Sequence, residues 1–214
     1  MSLAITFFNT HGIIMSADNL ITSTIIKGGS PYTFQSSQTE QKLFLIENKY
    51  GLSYTGTSSI DGVPLSSILE MYIKDNPIND MNPEEWLLKL AENTKNISKS
   101  YQNVIYILAG YYQHEQLIIT TNTINPEVHV NKKQSGLLYS GESNFLQMLI
   151  DSDTIAFDYA IFSLQDAADF LRFLNKTVAG LMHFGQYLPT VSENCDLLAI
   201  LPNESYWLSR LPLR

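Results

Sequence analysis

Dense apolar stretches near the start of the chain have the length and spacing of β-strands. Residues 3–9 (LAITFFN) form the first predicted strand, and a second, GIIMSAD, begins at Gly12 after a tight turn. Residues 19–41 are rich in Thr, Ser, Gly, Gln and Pro, and this composition predicts a long, polar, mobile loop. Two further strands, QKLFLIEN and YGLSYTG, are expected directly after it.

Four later stretches carry apolar residues at the spacing of amphipathic helices. The first covers Ser59–Lys74, and the second begins at an asparagine N-cap followed by proline, residues 82–83. A third helix is expected near Glu142, and a fourth runs from the capping box at Ser163 to about Gly185. The strands NVIYILAGYY, QLIITTN, EVHVNKK and GLLYSG lie between the two helical pairs, and DLLAILP and ESYWL follow the fourth helix.

This order of elements predicts an α+β protein. Strands and helices occur in separate runs, which argues against the regular alternation of a parallel βαβ fold. Two stacked antiparallel sheets with helices on both outer faces would bury every apolar face in the pattern. No repeat, linker or low-complexity tract divides residues 1–214, so we expect a single domain.

Composition narrows the classes of partner and compartment. A net charge of −8 and a pI near 4.9 argue against a nucleic acid or an anionic membrane surface as a partner. The single cysteine, Cys195, is typical of a reducing compartment, and no signal peptide or membrane span is recognised, so we expect a cytoplasmic protein. The four histidines lack metal-ligand spacing, and we expect neither a metal nor a cofactor.

Five positions in the first quarter of the chain have a characteristic spacing. Gly12 stands ten residues after Ser2, Asp18 follows the apolar IIMSA, Lys42 begins the strand KLFLI, and Gly56 lies fourteen residues after Lys42. In this order and spacing the chain resembles N-terminal-nucleophile (Ntn) hydrolases of the proteasome β-subunit and HslV family. The resemblance covers most of the chain and implies a four-layer αββα sandwich with a hydrolytic site at the start of the first strand.

The resemblance implies a catalytic role for four residues. Ser2 would be the nucleophile once Met1 is removed, because a free α-amine with a pKa near ~7.7–8.0 can accept the hydroxyl proton. Lys42 would depress the pKa of the amine and hydroxyl as a neighbouring cation, and Asp18 would keep it charged and oriented. The backbone N–H of Gly56 would face the developing oxyanion.

The same resemblance assigns five further positions. Ser140 matches a serine that hydrogen-bonds near the amine, and Ser192 matches the serine of a D-x-x-S-G-G signature whose aspartate and glycines are absent here. Ile21, Glu40 and Tyr54 match positions that line the pocket for the residue before the scissile bond. A pocket of this mixed apolar and acidic character would favour large apolar or basic side chains.

Some features depart from the family's pattern and leave three functions open. Leu20 stands where the family has an arginine, and the longer segment between Asp18 and Lys42 would overhang the cleft and gate or block it. The first function is a peptidase acting on peptides or unfolded proteins, in a homo-oligomeric ring with a possible ATP-dependent unfoldase. The second is an inactive ring subunit or scaffold, and the third an Ntn amidohydrolase acting on a small molecule. Taken alone, Ser2 is also compatible with an ordinary solvated polar residue.

Overall fold

The structure is a computed structural model that describes residues 2–98, 103–150, 156–185 and 188–211. Helices and strands in these ranges alternate in runs, as the sequence pattern predicted. In chain order they are β1 (Leu3–Asn9), β2 (Gly12–Asp18), β3 (Ile21–Lys27), β4 (Ser30–Ser37), β5 (Leu43–Ile46), β6 (Tyr50–Gly56), β7 (Ser59–Ile60), β8 (Val63–Pro64), α1 (Leu65–Asp75), α2 (Pro83–Ile97), β9 (Val104–Tyr112), β10 (Glu115–Asn122), β11 (His129–Val130), β12 (Gly136–Gly141), α3 (Ser143–Ile150), α4 (Leu164–Phe184), β13 (Cys195–Ile200) and β14 (Ser205–Ser209).

Two five-stranded antiparallel sheets form the centre of the molecule. The first sheet has the strand order β12-β1-β2-β13-β14, and the second has the order β11-β10-β9-β6-β5. The central hairpin of the first sheet pairs Ala4 with Ala17, so the start of β1 lies beside the end of β2. This pairing brings residues near both ends of the hairpin's sequence to one edge of the sandwich.

Three apolar cores separate four layers. Side chains from both sheets meet in the middle, among them Phe8, Met15 and Ile107. The other face of the second sheet packs against α1 and α2 around Trp86, and the other face of the first sheet packs against α3 and α4 around Leu171. Helix, sheet, sheet and helix therefore follow one another, which confirms the predicted α+β sandwich.

Local capping chemistry fixes two of the helices where the sequence predicted. The side chain of Asn82 accepts a hydrogen bond from Glu84 N at 2.8 Å, and Pro83 occupies the first helical position of α2. Ser163 and Asp166 form a reciprocal capping box at the start of α4. These signals are local, which explains why sequence reasoning located both starts.

The loop prediction for residues 19–41 is wrong. Most of this segment forms the antiparallel hairpin β3–β4, in which Lys27 pairs with Ser30 across a two-residue turn. Gly28 and Gly29 have φ values of +60° and +82°, as expected for a type I′ turn whose twist matches the strands it joins. Most of the hairpin's side chains are exposed, so burial does not account for its formation.

Smaller differences occur at element boundaries. The first helix begins at Leu65 and not at Ser59, because residues 59–64 form the short β7–β8 hairpin around Asp61 and Gly62, both at positive φ. The stretch EVHVNKK contributes only the two-residue strand β11. Met1 lies outside the described residues, and the single-domain assignment of the whole chain stays a prediction.

Candidate active site

Three of the predicted catalytic residues meet at one edge of the sandwich. Ser2 directly precedes β1, Asp18 ends β2, and Lys42 directly precedes β5 in the second sheet. All three are buried, and the side chains of Asp18 and Lys42 are 0% and 1% exposed. The antiparallel pairing of β1 with β2 brings the first two together, and the stacking of the sheets adds the third.

The Asp18 carboxylate is the centre of this arrangement. Its Oδ1 accepts hydrogen bonds from Leu3 N at 2.9 Å and from Lys42 Nζ at 3.0 Å. Its Oδ2 accepts from Leu20 N at 3.0 Å and from Ser192 N at 3.4 Å. Four donors therefore converge on this one carboxylate. One oxygen atom thus links the Lys42 ammonium to the backbone nitrogen that follows Ser2.

The Lys42 ammonium has a second acceptor besides Asp18. It also donates to the backbone carbonyl of Leu20, and its burial leaves it no alternative in solvent. A charge removed from water costs several kcal/mol unless paired and hydrogen-bonded, so this geometry keeps both partners in place. Leu20, which replaces the expected arginine, supports the site through its backbone N–H and C=O.

The backbone at Ser2 is fixed by the end of β12. Glu142 N donates to the Ser2 carbonyl at 2.8 Å. A Cβ at Gly141 would lie 1.8 Å from the same carbonyl oxygen, and Gly141 has a φ of +96°. Only glycine allows this close approach, so Gly141 is required for the position of Ser2.

A buried hydroxyl pair connects the strands on either side of Ser2. Thr55 Oγ1, at the end of β6, donates to Ser140 Oγ at 3.0 Å, and both side chains are buried. Gly56 follows Thr55 with a φ of +104°, and a Cβ there would lie 2.0 Å from the carbonyl oxygen of Asn103. The structure therefore places Ser140 and Gly56 next to one another in the same corner. Their roles near the amine and the oxyanion stay predictions, and sequence reasoning missed Thr55.

Ser192 also reaches this corner, although its surrounding signature is incomplete. Besides donating its backbone N–H to Asp18, it accepts a hydrogen bond from Asn19 N to its Oγ at 3.4 Å. Its own hydroxyl donates to the carbonyl of Asn194. Asn175 Nδ2, on α4, donates to the Ser192 carbonyl at 2.7 Å. The loop around Ser192 is thus held from two sides without the glycines of the signature.

The three predicted pocket residues differ in exposure. Ile21 and Glu40 are half-buried, whereas Tyr54 is fully buried and stacks on Phe44. The Tyr54 hydroxyl donates to Glu40 Oε1 at 3.2 Å. Burial, with the Glu40 carboxylate as a second cause, raises the pKa of Tyr54 well above 10, so the phenol stays a donor. Tyr54 therefore orients Glu40, and the pocket assignment of all three stays a prediction.

Sequence reasoning missed two buried polar residues beside the site, Asn19 and Asp196. Asn19 Nδ2 donates to Asp196 Oδ2 at 3.0 Å and to the Glu40 carbonyl at 3.1 Å. Burial raises the pKa of Asp196, opposed by hydrogen bonds from Leu211 N and Asn19. A charged residue at the start of the otherwise apolar stretch CDLLAI was the available signal, since such a residue needs a partner.

The side chains and helices of residues 2–98, 103–150, 156–185 and 188–211 bear on a metal site, a membrane span and a reactive thiol. In them, no group of three or more His, Cys, Asp or Glu side chains is arranged to hold a metal ion. The helices described, α4 included, are too short or too polar to cross a membrane. The Cys195 thiol is free, and burial raises its pKa to about 12.

Comparison with known proteins supports the fold. No family model and no curated protein matches the chain. Among solved structures, Anbu from Hyphomicrobium sp. strain MC1 superimposes with a TM-score of 0.66 at 12% identity, covering 97% of this chain and 85% of its own. A mutant form of Anbu from the same strain has a TM-score of 0.66 at 14% identity, over 96% of this chain and 82% of its own. The chain therefore has a proteasome-like Ntn fold.

The expected resemblance to the proteasome β-subunit and HslV family is wrong. The two solved structures compared above are Anbu proteins, and at 12–14% identity the likeness shows the fold alone. The physical reason lies in the motifs that suggested the family. Gly12 begins β2 directly after a tight turn, Asp18 ends that strand, and Gly56 permits a close backbone approach; each of these is a demand of the shared architecture. Such positions recur wherever the fold does.

Proposed function

We propose that the protein is an amide hydrolase that uses Ser2 as an N-terminal nucleophile after cleavage of the Met1–Ser2 bond, and that its substrates are peptides. One observation supports this most directly: Asp18 Oδ1 is shared between Leu3 N and the buried Lys42 ammonium. Through this shared oxygen the Lys42 side chain is linked to the backbone next to the residue that would carry both a hydroxyl and a free amine. Activation of such a nucleophile needs a base and a nearby charge. In this proposal the Ser2 amine is the base and the Lys42 ammonium is the charge.

The proposed reaction begins with proton transfer from the Ser2 hydroxyl to its own α-amine. The Oγ then forms a bond to the substrate's carbonyl carbon, and the carbonyl oxygen becomes an oxyanion that accepts the Gly56 N–H. The ammonium of Ser2 returns its proton to the departing amine as the amide bond breaks, which leaves an ester on Ser2. Water then attacks the ester carbon and gives a proton to the same amine; as the bond between that carbon and Ser2 Oγ breaks, the amine passes the proton to Oγ and the acid product leaves.

Lys42 and Asp18 act through charge and position in this scheme. A neighbouring ammonium disfavours protonation of the Ser2 amine, so more of it is neutral and able to act as a base. The Lys42 ammonium is held in this buried position by Asp18 and the Leu20 carbonyl. The electrostatic term is largest in such a site because little water screens it.

Substrate preference and assembly form the less direct part of the proposal. Glu40 offers a half-buried carboxylate next to the Tyr54 hydroxyl, and Ile21 is a half-buried apolar side chain; these two properties support a preference for basic or large apolar side chains. Large apolar side chains on the outer face of α3 and α4, including Met148 and Phe184, are 75% and 89% exposed and support a homo-oligomer, proposed here as a ring. A cytoplasmic location and an ATP-dependent unfoldase as partner complete the proposal.

The test combines mass measurement with covalent labelling. Intact-mass analysis establishes whether Met1 has been removed, and an electrophile that closes a ring with hydroxyl and amine reports the reactivity of Ser2. We expect Ser2→Ala to abolish labelling and peptide hydrolysis, and Ser2→Thr to retain both, because threonine keeps the two groups. Ser16→Ala, another buried serine, is the matched control and should behave as the wild type.

Two outcomes would contradict the proposal. Full peptide hydrolysis by Ser2→Ala would show that another group attacks the substrate. Retention of Met1 in a preparation that is active would exclude the amine as base. A protein that loses Met1 yet neither labels nor hydrolyses a peptide panel would instead be a scaffold. The absence of both the family's arginine and the signature's aspartate favours that alternative.

A further inference from the structure

The buried pair formed by Asn19 and Asp196 has no part in the proposed reaction. Each residue is only 2% exposed, and their side chains are joined at 3.0 Å. Burying an amide and a carboxylate costs free energy that apolar residues would not require. We therefore expect a pair of this kind in a sheet to hold a neighbouring group in position. Its nearest functional neighbour in the chain is Asp18.

Asn19 joins the two segments that carry the ion pair. Its carbonyl accepts a hydrogen bond from Glu40 N at 3.0 Å, and its side-chain Nδ2 donates to the Glu40 carbonyl at 3.1 Å. Glu40 lies two residues before Lys42, and Asp18 directly precedes Asn19. One residue thus fixes the backbone of the segment before Lys42 against the end of β2.

Asn19 also reaches the loop on the far side of Asp18. Its backbone N–H donates to Ser192 Oγ at 3.4 Å, while Ser192 N donates to Asp18 Oδ2 at 3.4 Å. These reciprocal contacts close a ring of hydrogen bonds around the carboxylate. The position of Asp18 therefore depends on the orientation of Asn19.

Asp196 determines how the side-chain amide of Asn19 is oriented. Its Oδ1 accepts from Leu211 N at 2.7 Å and its Oδ2 accepts from Asn19, while its backbone is paired with Ala17 in β2. Both Asp196 oxygens accept from nitrogen donors, so Asn19 faces Asp196 with its NH₂ group and not with its carbonyl oxygen. With the amide turned this way, the second hydrogen of the NH₂ group reaches the Glu40 carbonyl.

We infer that Asp196 is a positioning residue that acts through Asn19 to hold Asp18 and Lys42 at ion-pair distance. Because Asp196 lies on β13, the Asn19–Asp196 pair supports the site from that strand. Leu20, the residue after Asn19, has no charged side chain that could do so. The inference rests on the proposed function only for its consequence in catalysis, because the placement of Lys42 is measurable in any folded sample. It assigns to Asp196 no contact with substrate.

The substitution Asp196→Asn tests this directly, since it keeps the shape but leaves one acceptor oxygen for two donors, Asn19 Nδ2 and Leu211 N. One of these donors then faces the new NH₂ group and must move; where that donor is Asn19, its amide turns and loses the bond to Glu40. A proton-detected ¹⁵N spectrum of lysine ammonium groups should show the buried Lys42 signal in the wild type and its shift or loss in the variant. We expect Ser2 labelling to slow by about tenfold, with kcat reduced and KM little changed, as misplacement of a supporting group produces.

A double-variant cycle separates positioning from general damage. If Asp196 acts through Asn19, Asp196→Ser should change the Lys42 signal in the wild-type background and change it little further in Asn19→Ala. Asn9→Ala is the matched control: Asn9 is buried at the other end of β1 and holds the carbonyls of Tyr159 and Phe162. It should lower stability and leave the Lys42 signal in place.

The two proposals fail in different ways. An unchanged Lys42 signal in folded Asp196→Asn or Asp196→Ser overturns the positioning role, whatever the activity. If Asp196→Asn does not fold, Asp196→Ser carries the measurement, because serine is smaller and its single oxygen cannot serve both Asn19 and Leu211 N. Absence of Ser2 labelling in the wild type would overturn the proposed function, and the ammonium spectrum would still decide the role of Asp196.

Discussion

Two hairpins follow one another at the start of the chain and differ in nearly every physical respect except their pairing. In β1–β2 all of the described strand residues are buried, whereas β3–β4 is mostly exposed. The first hairpin alternates its side chains between two cores, with Phe8 and Met15 between the sheets and Phe7 and Ile14 against the helices. Its strands are specified by burial on both faces.

The second hairpin is held by local chemistry. Its strands are joined by the Gly28-Gly29 turn, Ser23 Oγ donates to Ser36 Oγ at 2.8 Å, and Tyr32 stacks on Phe34 with ring centroids 6.2 Å apart. The turn type, the cross-strand Ser23–Ser36 hydrogen bond and the ring contact within β4 each stabilise the hairpin by a small amount. The comparison teaches that a strand needs either a core or a suitable turn, and that the candidate site lies at the junction between the two cases.

Breaking the ion pair at the end of the buried hairpin should have the largest effect. Lys42→Met leaves Asp18 as a buried carboxylate without its cation, which we expect to reduce the free energy of unfolding by about 3–5 kcal/mol. The double variant Asp18→Asn/Lys42→Met removes both charges and should recover much of that loss. Urea unfolding followed by circular dichroism measures both. A loss below about 1 kcal/mol in the single variant would mean that the pair is not buried in solution.

Matched isoleucines in the two hairpins give the next largest contrast. Ile14 is fully buried against the helices, and Ile26 is 80% exposed in β3. Ile14→Ala should cost about 2–5 kcal/mol through lost burial and a cavity, and Ile26→Ala should stay within about 0.5 kcal/mol. The same unfolding experiment compares them. Equal losses at the two positions would show that the second hairpin is covered in solution, for example by another copy of the chain.

The sequence predicted the buried hairpin well and the exposed one poorly, for physical reasons. Apolar density identifies a strand only when a core receives it, so LAITFFN was recognised and ITSTIIK was not. The KGGS stretch did carry a signal for a hairpin, because two successive glycines permit the positive φ values of a type I′ turn. The polar composition around this stretch predicted a loop instead. Asn19, Thr55 and Asp196 were missed because their partners come from distant strands, and single-sequence patterns carry no such pairing.

Asp196 lies where β13 pairs with the buried hairpin. We expect its carboxyl group to make a smaller contribution to the free energy of unfolding, one that depends on pH. Burial raises its pKa in the folded protein above the unfolded value of 3.8, although the Leu211 N–H, Asn19 and the charge of Arg210 oppose the shift. Relative to the unfolded chain, the folded protein therefore binds the proton of this carboxyl group more tightly. The stability that this group contributes is present below about pH 4 and is lost as pH rises through the folded pKa.

Comparison of the wild type with Asp196→Asn isolates this contribution, because asparagine does not titrate. The free energy of unfolding of the wild type, relative to the variant, should be greatest near pH 4 and decline towards neutral pH. Urea unfolding at a series of pH values gives the difference. A relative stability that instead rises with pH would mean that hydrogen bonds to Asp196 outweigh its burial.

Changing the turn of the exposed hairpin should have the smallest effect on the molecule as a whole. Gly28 and Gly29 have positive φ, and a Cβ at either would meet nothing within 4 Å, so Gly28→Val introduces backbone strain of about 1–2 kcal/mol without a clash. We expect β3–β4 to lose amide-exchange protection while the global unfolding midpoint stays unchanged. Gly28→Asn is the matched control, because asparagine tolerates this conformation. A fall in the global midpoint in Gly28→Val would show that the exposed hairpin is coupled to the buried one, and the contrast between them would then be one of degree.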